Sequence, residues 1–247
     1  MVLDSFSYTS KGGRAYNQDS VGAFDTPSGA VYVVADGLGG HLHGEMASQC
    51  AVDAFIGTED IPADGQKDWL EEQISRINQE IISLQEQHGN MRTTIVALSV
   101  KEDRAAWAHV GDSRLYYLHD KKIEAVTEDH SVAYKKYLAG EITREQIASD
   151  VDQSCLLRAL GNPTRSKSVC FEPEHPIAPD DGFLLCSDGF WEYVLDEEIL
   201  VDYLKADCAR TWAELLLLRV MGRIDADNDN LSVVTVLVKE KQQEDRE

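Results

Sequence analysis

The chain has 247 residues, of which 43% are hydrophobic, and its 44 acidic residues outnumber its 23 lysines and arginines to give a formal charge of −21. A chain this acidic repels nucleic acid and anionic lipid, so neither partner is expected. The length suits one large domain with a sizeable core. We therefore expect a single domain over residues 1–240 and a polar tail at residues 241–247.

Cysteine usage predicts the compartment. The five cysteines are scattered and form no Cys-x-x-Cys pair, which favours reduced thiols over disulfides or a zinc site. The N terminus carries no signal-peptide pattern, and no apolar run approaches the roughly 18 residues of a membrane helix. We expect a cytoplasmic protein without membrane insertion.

The predicted elements alternate between runs of strands and pairs of helices. Strand patterns cover residues 6–8, 21–24, 31–34, 93–100, 105–110, 114–118, 183–186 and 231–238. Helix patterns cover residues 46–56, 69–84, 196–205 and 210–221. Runs of strands joined by short turns, with helix pairs between them, predict an α+β fold with antiparallel sheets.

Two helical segments carry more specific predictions. Ser131 is a candidate N-cap for a short helix ending at Leu138, and residues 143–146 have the form of a capping box. The polar stretch from residue 130 to residue 152 is therefore predicted to leave the sheet as a lid. The four leucines at residues 215–218 predict a heavily buried final helix.

Residues 31–44 combine a strand, a carboxylate and a glycine-rich loop. Asp36 follows the β-branched run at residues 31–34, and four glycines then fall within residues 37–44. Glycines allow close approach of a ligand, but an ordinary strand-to-helix turn fits this stretch equally well. His41 and His43 alternate as a chelating pair would, although no cysteine is near and we favour a loop feature.

Five aspartates stand at the ends of predicted strands: Asp19, Asp36, Asp112, Asp188 and Asp229. The position of any single one of them is explained by the common occurrence of aspartate in turns. We expect neighbouring strands of one sheet to bring these ends together. Two charges about 4 Å apart then repel by roughly 4 kcal/mol at an effective dielectric of about 20. A divalent cation relieves this repulsion, and oxygen ligands with few histidines favour Mg²⁺ or Mn²⁺ over Zn²⁺.

Two arginines lie beside these acids. Arg14 precedes Asp19 on the loop between the first two strands, where a guanidinium suits a bidentate phosphate contact. Arg114 follows Asp112 and is expected to pair with a neighbouring carboxylate in a structural role.

The acidic run at residues 225–230 is not an EF-hand, because its sixth position is Asn230 and its twelfth is Val236.

These residues fall into an ordered series of motifs that covers nearly the whole chain. The motifs are Arg14-Ala-Tyr-Asn-Gln-Asp19, Val34-Ala-Asp-Gly-Leu-Gly-Gly-His41, Gly44-Glu45, Thr93-Thr94, Gly111-Asp-Ser-Arg114, Thr127-Glu-Asp-His-Ser131, Arg158-Ala-Leu-Gly161, Ser187-Asp-Gly-Phe-Trp191 and Asp229-Asn230. Each motif is weak alone, but the ordered set is specific. In these motifs the chain resembles the metal-dependent protein phosphatase family of the 2C type, in its bacterial form.

The resemblance implies a central antiparallel β-sandwich flanked by pairs of α-helices, with a flap over residues 130–162. It also implies two core ions, Mn²⁺ or Mg²⁺, and a third ion as in bacterial members. The implied metal residues are Asp36 as the bridge, the backbone carbonyl of Gly37, Asp188, Asp229, Asp112 at the third ion and Asp19 through a metal-bound water.

The implied reaction is direct hydrolysis of phosphoserine or phosphothreonine in proteins by a metal-activated water, without a covalent intermediate. Arg14 would bind the substrate phosphate, and the candidate catalytic residues are Arg14, Asp36 and Asp188. The implied partners are phosphoprotein substrates of a cognate serine/threonine kinase in bacterial signalling, and a monomer is expected.

Three positions depart from the family pattern. Leu38 replaces a histidine that eukaryotic-type members use as a proposed general acid. Gln18 replaces a common glutamate, and Arg92 stands where glycine often precedes the Thr-Thr pair. None of these changes removes an implied core ligand, so an active enzyme is expected.

Two other functions fit the same fold. A non-catalytic phosphoprotein-binding regulator is disfavoured, because Asp36, Asp188 and Asp229 are retained. A hydrolase of small phosphate esters would use the same acids, and the composition of the flap does not separate it from a protein phosphatase.

Overall fold

The structure is a computed structural model and describes residues 1–26, 29–39, 43–58, 60–162, 170–171 and 175–241. Its strands are β1 (Val2–Ser10), β2 (Asp19–Thr26), β3 (Gly29–Leu38), β4 (Arg92–Thr93), β5 (Ile95–Lys101), β6 (Arg104–Val110), β7 (Arg114–His119), β8 (Lys122–Val126), β9 (Cys170–Phe171), β10 (His175–Pro176), β11 (Gly182–Cys186) and β12 (Leu231–Lys239). Its helices are α1 (His43–Asp53), α2 (Gln66–His88), α3 (Val132–Leu138), α4 (Asp188–Trp191), α5 (Asp196–Lys205) and α6 (Ala209–Met221), and a turn of 3₁₀ helix covers Ile147–Ser149.

Two antiparallel sheets pack face to face. The first sheet has the strand order β1-β12-β11-β7-β8, and the second has the order β10-β6-β5-β3-β2, with β4 beside β3 and β9 beside β6. Large side chains from both sheets fill the space between them, including Tyr32, Trp107, Tyr117 and Phe183. The rings of Tyr117 and Phe183, from the two adjacent strands β7 and β11, stack with their centroids 4.9 Å apart.

Helices cover the outer faces of both sheets. Ile74 and Ile81, on the apolar stripe of α2, are buried against the second sheet together with residues of α1. Trp212 and Leu216 of α6 are buried against the first sheet, beside residues of α5. The layers therefore follow the order α-β-β-α, which confirms the predicted fold class.

The excursion at residues 130–162 begins with a capped helix. Ser131 Oγ accepts a hydrogen bond from the backbone N–H of Tyr134 at 3.2 Å, as an N-cap does. The predicted capping box at residues 143–146 is wrong as a helix start. Gln146 Oε1 does accept from Thr143 N at 2.8 Å, but the chain then forms only the 3₁₀ turn.

The structure corrects two further predictions. Strand β8 was missed, because Lys122–Val126 is half polar and lies at a sheet edge. The final helix is less buried than its four leucines predict: Leu216 is fully buried, whereas Leu218 is 71% exposed. A helix that packs on a sheet buries one stripe of side chains and exposes the opposite one.

Some of the predicted features fall on residues that the structure does not describe. Residues 242–247 of the predicted polar tail lie outside the described residues, and so does His41. Within the part of the chain that is described, no helix combines the length and the apolarity needed to cross a membrane.

Candidate active site

The predicted site residues come from separate segments and meet at one end of the sandwich. Asp36 on β3 pairs across the ladder with Asp19, the first residue of β2. Asp188 begins α4 two residues after the end of β11, Asp112 comes two residues after the end of β6, and Asp229 lies two residues before the start of β12. Each carboxylate lies near the point where a strand begins or ends, as the sequence predicted. The expectation that one sheet supplies them all is wrong: β2, β3 and β6 belong to the second sheet, and β11 and β12 belong to the first.

A cavity of about 370 Å³ lies at this end of the molecule. The predicted residues that line it are Arg14, Asp36, Gly37, Asp112, Asp188 and Asp229. Asp19 is only 6% exposed, and its Oδ2 accepts a hydrogen bond from Ser187 Oγ at 2.8 Å. The structure thus places six of the predicted residues around one cavity and the seventh, Asp19, in the buried layer next to them.

The backbone around Asp36 is fixed by the Thr-Thr motif. Asp36 N donates to Thr94 Oγ1 at 3.0 Å, and the carbonyl of Asp36 accepts from Thr94 N and Thr93 Oγ1, each at 2.8 Å. Gly37 packs directly against the start of α1, where an added Cβ would lie 2.1 Å from the carbonyl oxygen of Gly44. Only glycine fits this close approach.

The carboxylates repel one another in a buried setting. Burial, followed by the charges of neighbouring aspartates, raises the pKa of Asp36, Asp112 and Asp188. Burial also raises the pKa of Asp19 to about 7, although hydrogen bonds from Ser232 and Ser187 oppose the change. Carboxyl groups that resist ionisation in this way are stabilised as anions by a cation placed among them.

The donor set fits a hard divalent cation. The aspartate oxygens and the carbonyl of Gly37 are ligands of the kind that Mg²⁺ and Mn²⁺ prefer. In the described residues, no three His, Cys, Asp or Glu side chains form a ready-made metal-binding group. The lining carboxylates are instead engaged with protein groups: Asp188 Oδ1 accepts from Gly189 N at 2.6 Å, and Asp229 is paired with Arg14.

Arg14 reaches the acids from the loop between β1 and β2. Its Nε and Nη2 donate to Oδ1 and Oδ2 of Asp229 at 3.0 and 2.8 Å. Both side chains remain open to solvent, with 56% of the Arg14 side chain and 44% of the Asp229 side chain exposed. A guanidinium at the rim of an acidic cavity can turn from a carboxylate to an incoming phosphate.

Arg114 is buried and serves the fold. Its Nε and Nη2 donate to the two carboxylate oxygens of Asp129 at 2.8 and 2.7 Å. Its guanidinium carbon lies 3.4 Å from the ring centroid of Trp191, whose Nε1 donates to the carbonyl of Asp112 at 2.9 Å. These contacts agree with the structural role predicted for Arg114.

The three departures from the family pattern have distinct environments. Leu38 lines the cavity and gives its wall an apolar side chain. Gln18 Nε2 donates to the carbonyl of Gly39 at 3.2 Å, a bond that an ionised glutamate would not make. Arg92 is exposed on β4, across the ladder from Leu38.

Sequence reasoning missed two residues that contact the site. Gln153, from the flap, donates to Asp188 Oδ2 at 3.5 Å and also to the carboxylate of Glu192. Burial, then the charges of Asp188 and Asp229, raises the pKa of Glu192 to about 8. Glu192 follows Asp188 by four residues, the spacing that brings helical side chains together, whereas no sequence signal marks Gln153.

Comparison with known proteins identifies the family. The family profile described as protein phosphatase 2C matches residues 11–216. The chain belongs to the protein phosphatase 2C family. The serine/threonine phosphatase stp of Listeria monocytogenes is 34% identical over 195 residues, which make up 75% of this chain and 77% of that protein.

Solved structures of this family agree with the fold. The crystal structure of the serine/threonine phosphatase PstP from Mycobacterium tuberculosis is 30% identical and has a TM-score of 0.85, covering 97% of this chain and 100% of that chain. The catalytic domain of PstP in complex with two manganese ions is 29% identical, with a TM-score of 0.79 and coverage of 96% and 99%. The predicted family is confirmed, and the manganese complex supports metal dependence within it.

Proposed function

We propose that this protein phosphatase 2C member hydrolyses phosphoserine and phosphothreonine in proteins at the cavity that Arg14 and the aspartates line. Membership of the family makes the chain a protein serine/threonine phosphatase. The observation that carries the assignment of the site is the convergence of Asp36, Asp112, Asp188 and Asp229 with Arg14 around one cavity.

The proposed metal ligands are Asp36, Asp188, Asp229 and the carbonyl of Gly37. Asp112 would serve a third ion, and Asp19 would accept a hydrogen bond from a water in the inner ligand sphere. Mn²⁺ or Mg²⁺ bound there lowers the pKa of water and offsets the charge that develops on the phosphoryl group. The raised pKa values of Asp36 and Asp188 support the proposal, because burial and the charges of neighbouring aspartates cause them, and a cation at this position would offset both effects.

Arg14 is the proposed phosphate-binding residue. Its guanidinium is paired with Asp229 at 2.8 Å but is more than half exposed, so it is accessible to a phosphoester entering the cavity. A bidentate contact orients the phosphoryl group and stabilises its negative charge during hydrolysis. Because no cysteine is among the described residues that line the cavity, we propose direct attack by water without a phosphoenzyme.

We also propose that residues 1–240 form one catalytic domain and that residues 130–162 form its flap. Ser154 and Leu156, both in this segment, line the cavity and support a role in substrate contact. The proposed partners are phosphoprotein substrates of a cognate serine/threonine kinase, met by a monomeric enzyme in the cytoplasm.

The test is hydrolysis of p-nitrophenyl phosphate and of a phosphothreonine peptide by the purified protein with Mn²⁺ or Mg²⁺. We expect turnover of both substrates, loss of turnover after chelation, and no turnover by Asp188→Asn. Asp68→Asn, a change in the first turn of α2, is the matched control and should behave as the wild type. Full activity after exhaustive chelation would refute the metal-dependent mechanism, and peptide binding without turnover would favour the regulator.

A further inference from the structure

The amide of Asn230 joins the loop that carries Arg14 to the segment that carries Asp229. Asn230 is 5% exposed and directly precedes β12. Its Oδ1 accepts from Gln18 N at 2.8 Å, and its Nδ2 donates to the carbonyls of Lys11 and Tyr16 at 2.9 and 3.0 Å. One side chain therefore bonds both ends of the loop at residues 11–18.

Only an amide of this length can make these three bonds. A primary amide offers two N–H donors and a carbonyl acceptor, and here each kind of group is used. An aspartate would lose both donors and would turn a carboxylate oxygen toward the two backbone carbonyls. An aliphatic residue would remove this partner from the carbonyls of Lys11 and Tyr16 and from the N–H of half-buried Gln18, and each lost hydrogen bond costs stability.

The surrounding backbone leaves little room for the loop to shift. Gly13 N donates to the carbonyl of Asn228 at 3.1 Å. An added Cβ on Gly12 would lie 2.2 Å from the carbonyl oxygen of Asp229, and one on Gly13 would lie 2.0 Å from that of Ala226. The loop therefore packs closely against the residues on either side of Asp229. The amide of Asn230 fixes the position of the loop along that segment.

We propose that Asn230 is a positioning residue that holds Arg14 at a fixed place relative to Asp229. The inference rests on the proposed function, in which Arg14 binds the substrate phosphate. Asn230 also borders the cavity, but its amide is engaged with the backbone of residues 11–18, so its proposed action on the phosphate is through Arg14. It acts by holding residues 11–18 so that the guanidinium stays at the rim of the cavity, beside Asp229.

The first test measures the loop directly by hydrogen exchange with mass spectrometry. Asn230→Ala should speed exchange in a peptide covering residues 11–18, since the N–H of Gln18 loses its acceptor. The control is Asn78→Ala, which removes another buried asparagine. Asn78 lies on α2, and its Oδ1 accepts a hydrogen bond from Gly161 N at 2.8 Å. If Asn230→Ala does not fold, Asn230→Ser keeps a polar group at this position and is measured instead. Unchanged exchange in residues 11–18 would overturn the proposal.

The second test is a double-mutant cycle with Arg14→Ala. Misplacing one catalytic contact by about 1 Å costs up to about a hundredfold, so Asn230→Ala should lower kcat/KM for a phosphothreonine peptide by about tenfold to a hundredfold. In the Arg14→Ala background the same change should cost less than about threefold, because the residue that Asn230 positions is gone. Equal losses in both backgrounds would overturn the proposal.

Calorimetry with Mn²⁺ separates this role from collapse of the acidic cavity. Asn230→Ala should leave the Mn²⁺ dissociation constant within about threefold of wild type, since the backbone N–H that Asn230 donates to Asp229 Oδ1 remains. Loss of Mn²⁺ binding would instead assign Asn230 to the metal site and overturn the proposal. An inactive wild type would count against the proposed function, while the exchange measurement would still decide the role of Asn230.

Discussion

Arg14 and Asp229 form a bidentate ion pair at the rim of the cavity, with N–O distances of 3.0 and 2.8 Å. The pair joins residues that are 215 positions apart in the sequence. It joins the proposed phosphate-binding residue to a proposed metal-binding residue. Binding of a cation to Asp229 would weaken the ion pair between Arg14 and Asp229, and the guanidinium would then be available to bind substrate.

Arg14→Ala should therefore change substrate and metal binding in opposite directions. The KM for a phosphothreonine peptide should rise by about tenfold or more, because a charge-assisted bidentate contact is lost. Mn²⁺ affinity should rise by up to about fivefold, since an exposed ion pair that competes for Asp229 is worth at most about 1 kcal/mol. Steady-state kinetics and calorimetry measure the two effects. Arg92→Ala, which removes an exposed arginine on β4, should change neither, and weaker Mn²⁺ binding by Arg14→Ala would contradict the competition.

The metal-free protein should lose stability as the pH rises through neutrality. Burial raises the pKa of Asp19 from 3.8 to about 7. The stability that depends on protonated Asp19 is therefore fully present below pH 3.8 and is lost as the pH rises through about 7. Between pH 5 and pH 8, the melting temperature of the chelated wild type should fall by about 5 °C more than that of Asp19→Asn.

Mn²⁺ is the control for this pH dependence. Saturating Mn²⁺ should raise the melting temperature and flatten its fall with pH, because a nearby cation favours the ionised carboxylates and binds only the folded state. Differential scanning calorimetry across the pH range gives both quantities. Identical pH profiles for the wild type and Asp19→Asn would show that Asp19 does not titrate in this range.

The aspartates around the cavity could be predicted because a charged residue at the end of an apolar run can be recognised from the sequence alone. Asp36 and Asp188 each follow a buried run and precede glycine. Their strands β3 and β11 belong to different sheets, and the face-to-face packing of the two sheets places both ends at a common cavity. Helix α2 was predicted for a related reason, since its apolar residues recur every three or four positions. The structure extends it to Gln66–His88 because polar residues continue the helix beyond the apolar stripe.

Contacts made by polar side chains over long distances in sequence could not be predicted. Gln153 contacts Asp188 only because the flap folds back over the cavity. The exposure of Leu218 likewise depends on which side of α6 faces the first sheet, and four consecutive leucines point in all directions around a helix. Strand β8 needed its partner β7, since its own alternation is weak and its pairing shifts register at Tyr117 and Leu118.

The buried pair of Arg114 and Asp129 should matter for stability rather than for substrate binding. Only 6% of the Arg114 side chain and 1% of the Asp129 side chain are exposed. Arg114→Met should lower the free energy of unfolding by about 3–5 kcal/mol, because it leaves a buried carboxylate unpaired. The double variant Arg114→Met/Asp129→Leu should recover much of that loss. Urea denaturation measures these changes.

The chain provides a matched surface pair for that experiment. Lys122 and Glu124 form an ion pair of the same 2.7 Å length, but 59% and 43% of their side chains are exposed. Lys122→Ala should leave the unfolding midpoint unchanged, since solvent screens the exposed charges. A loss for Lys122→Ala as large as that for Arg114→Met would show that burial does not decide the cost of breaking a pair.

The flap should discriminate between protein substrates and small esters. Arg144 Nε binds Asp196 Oδ2 at 2.7 Å and ties the flap to the start of α5, while Ser154 and Leu156 from the same flap line the cavity. Arg144→Ala should raise the KM for a phosphothreonine peptide by about threefold to tenfold, because the flap residues that contact the peptide lose their fixed position. The KM for p-nitrophenyl phosphate should not change, since this ester reaches only the acids and Arg14. Arg210→Ala, an exposed change on α6 whose side chain is 64% exposed, is the control and should alter neither KM. Equal increases for both substrates would mean that the flap supports the acidic site itself, and the case for a flap that recognises protein substrates would fail.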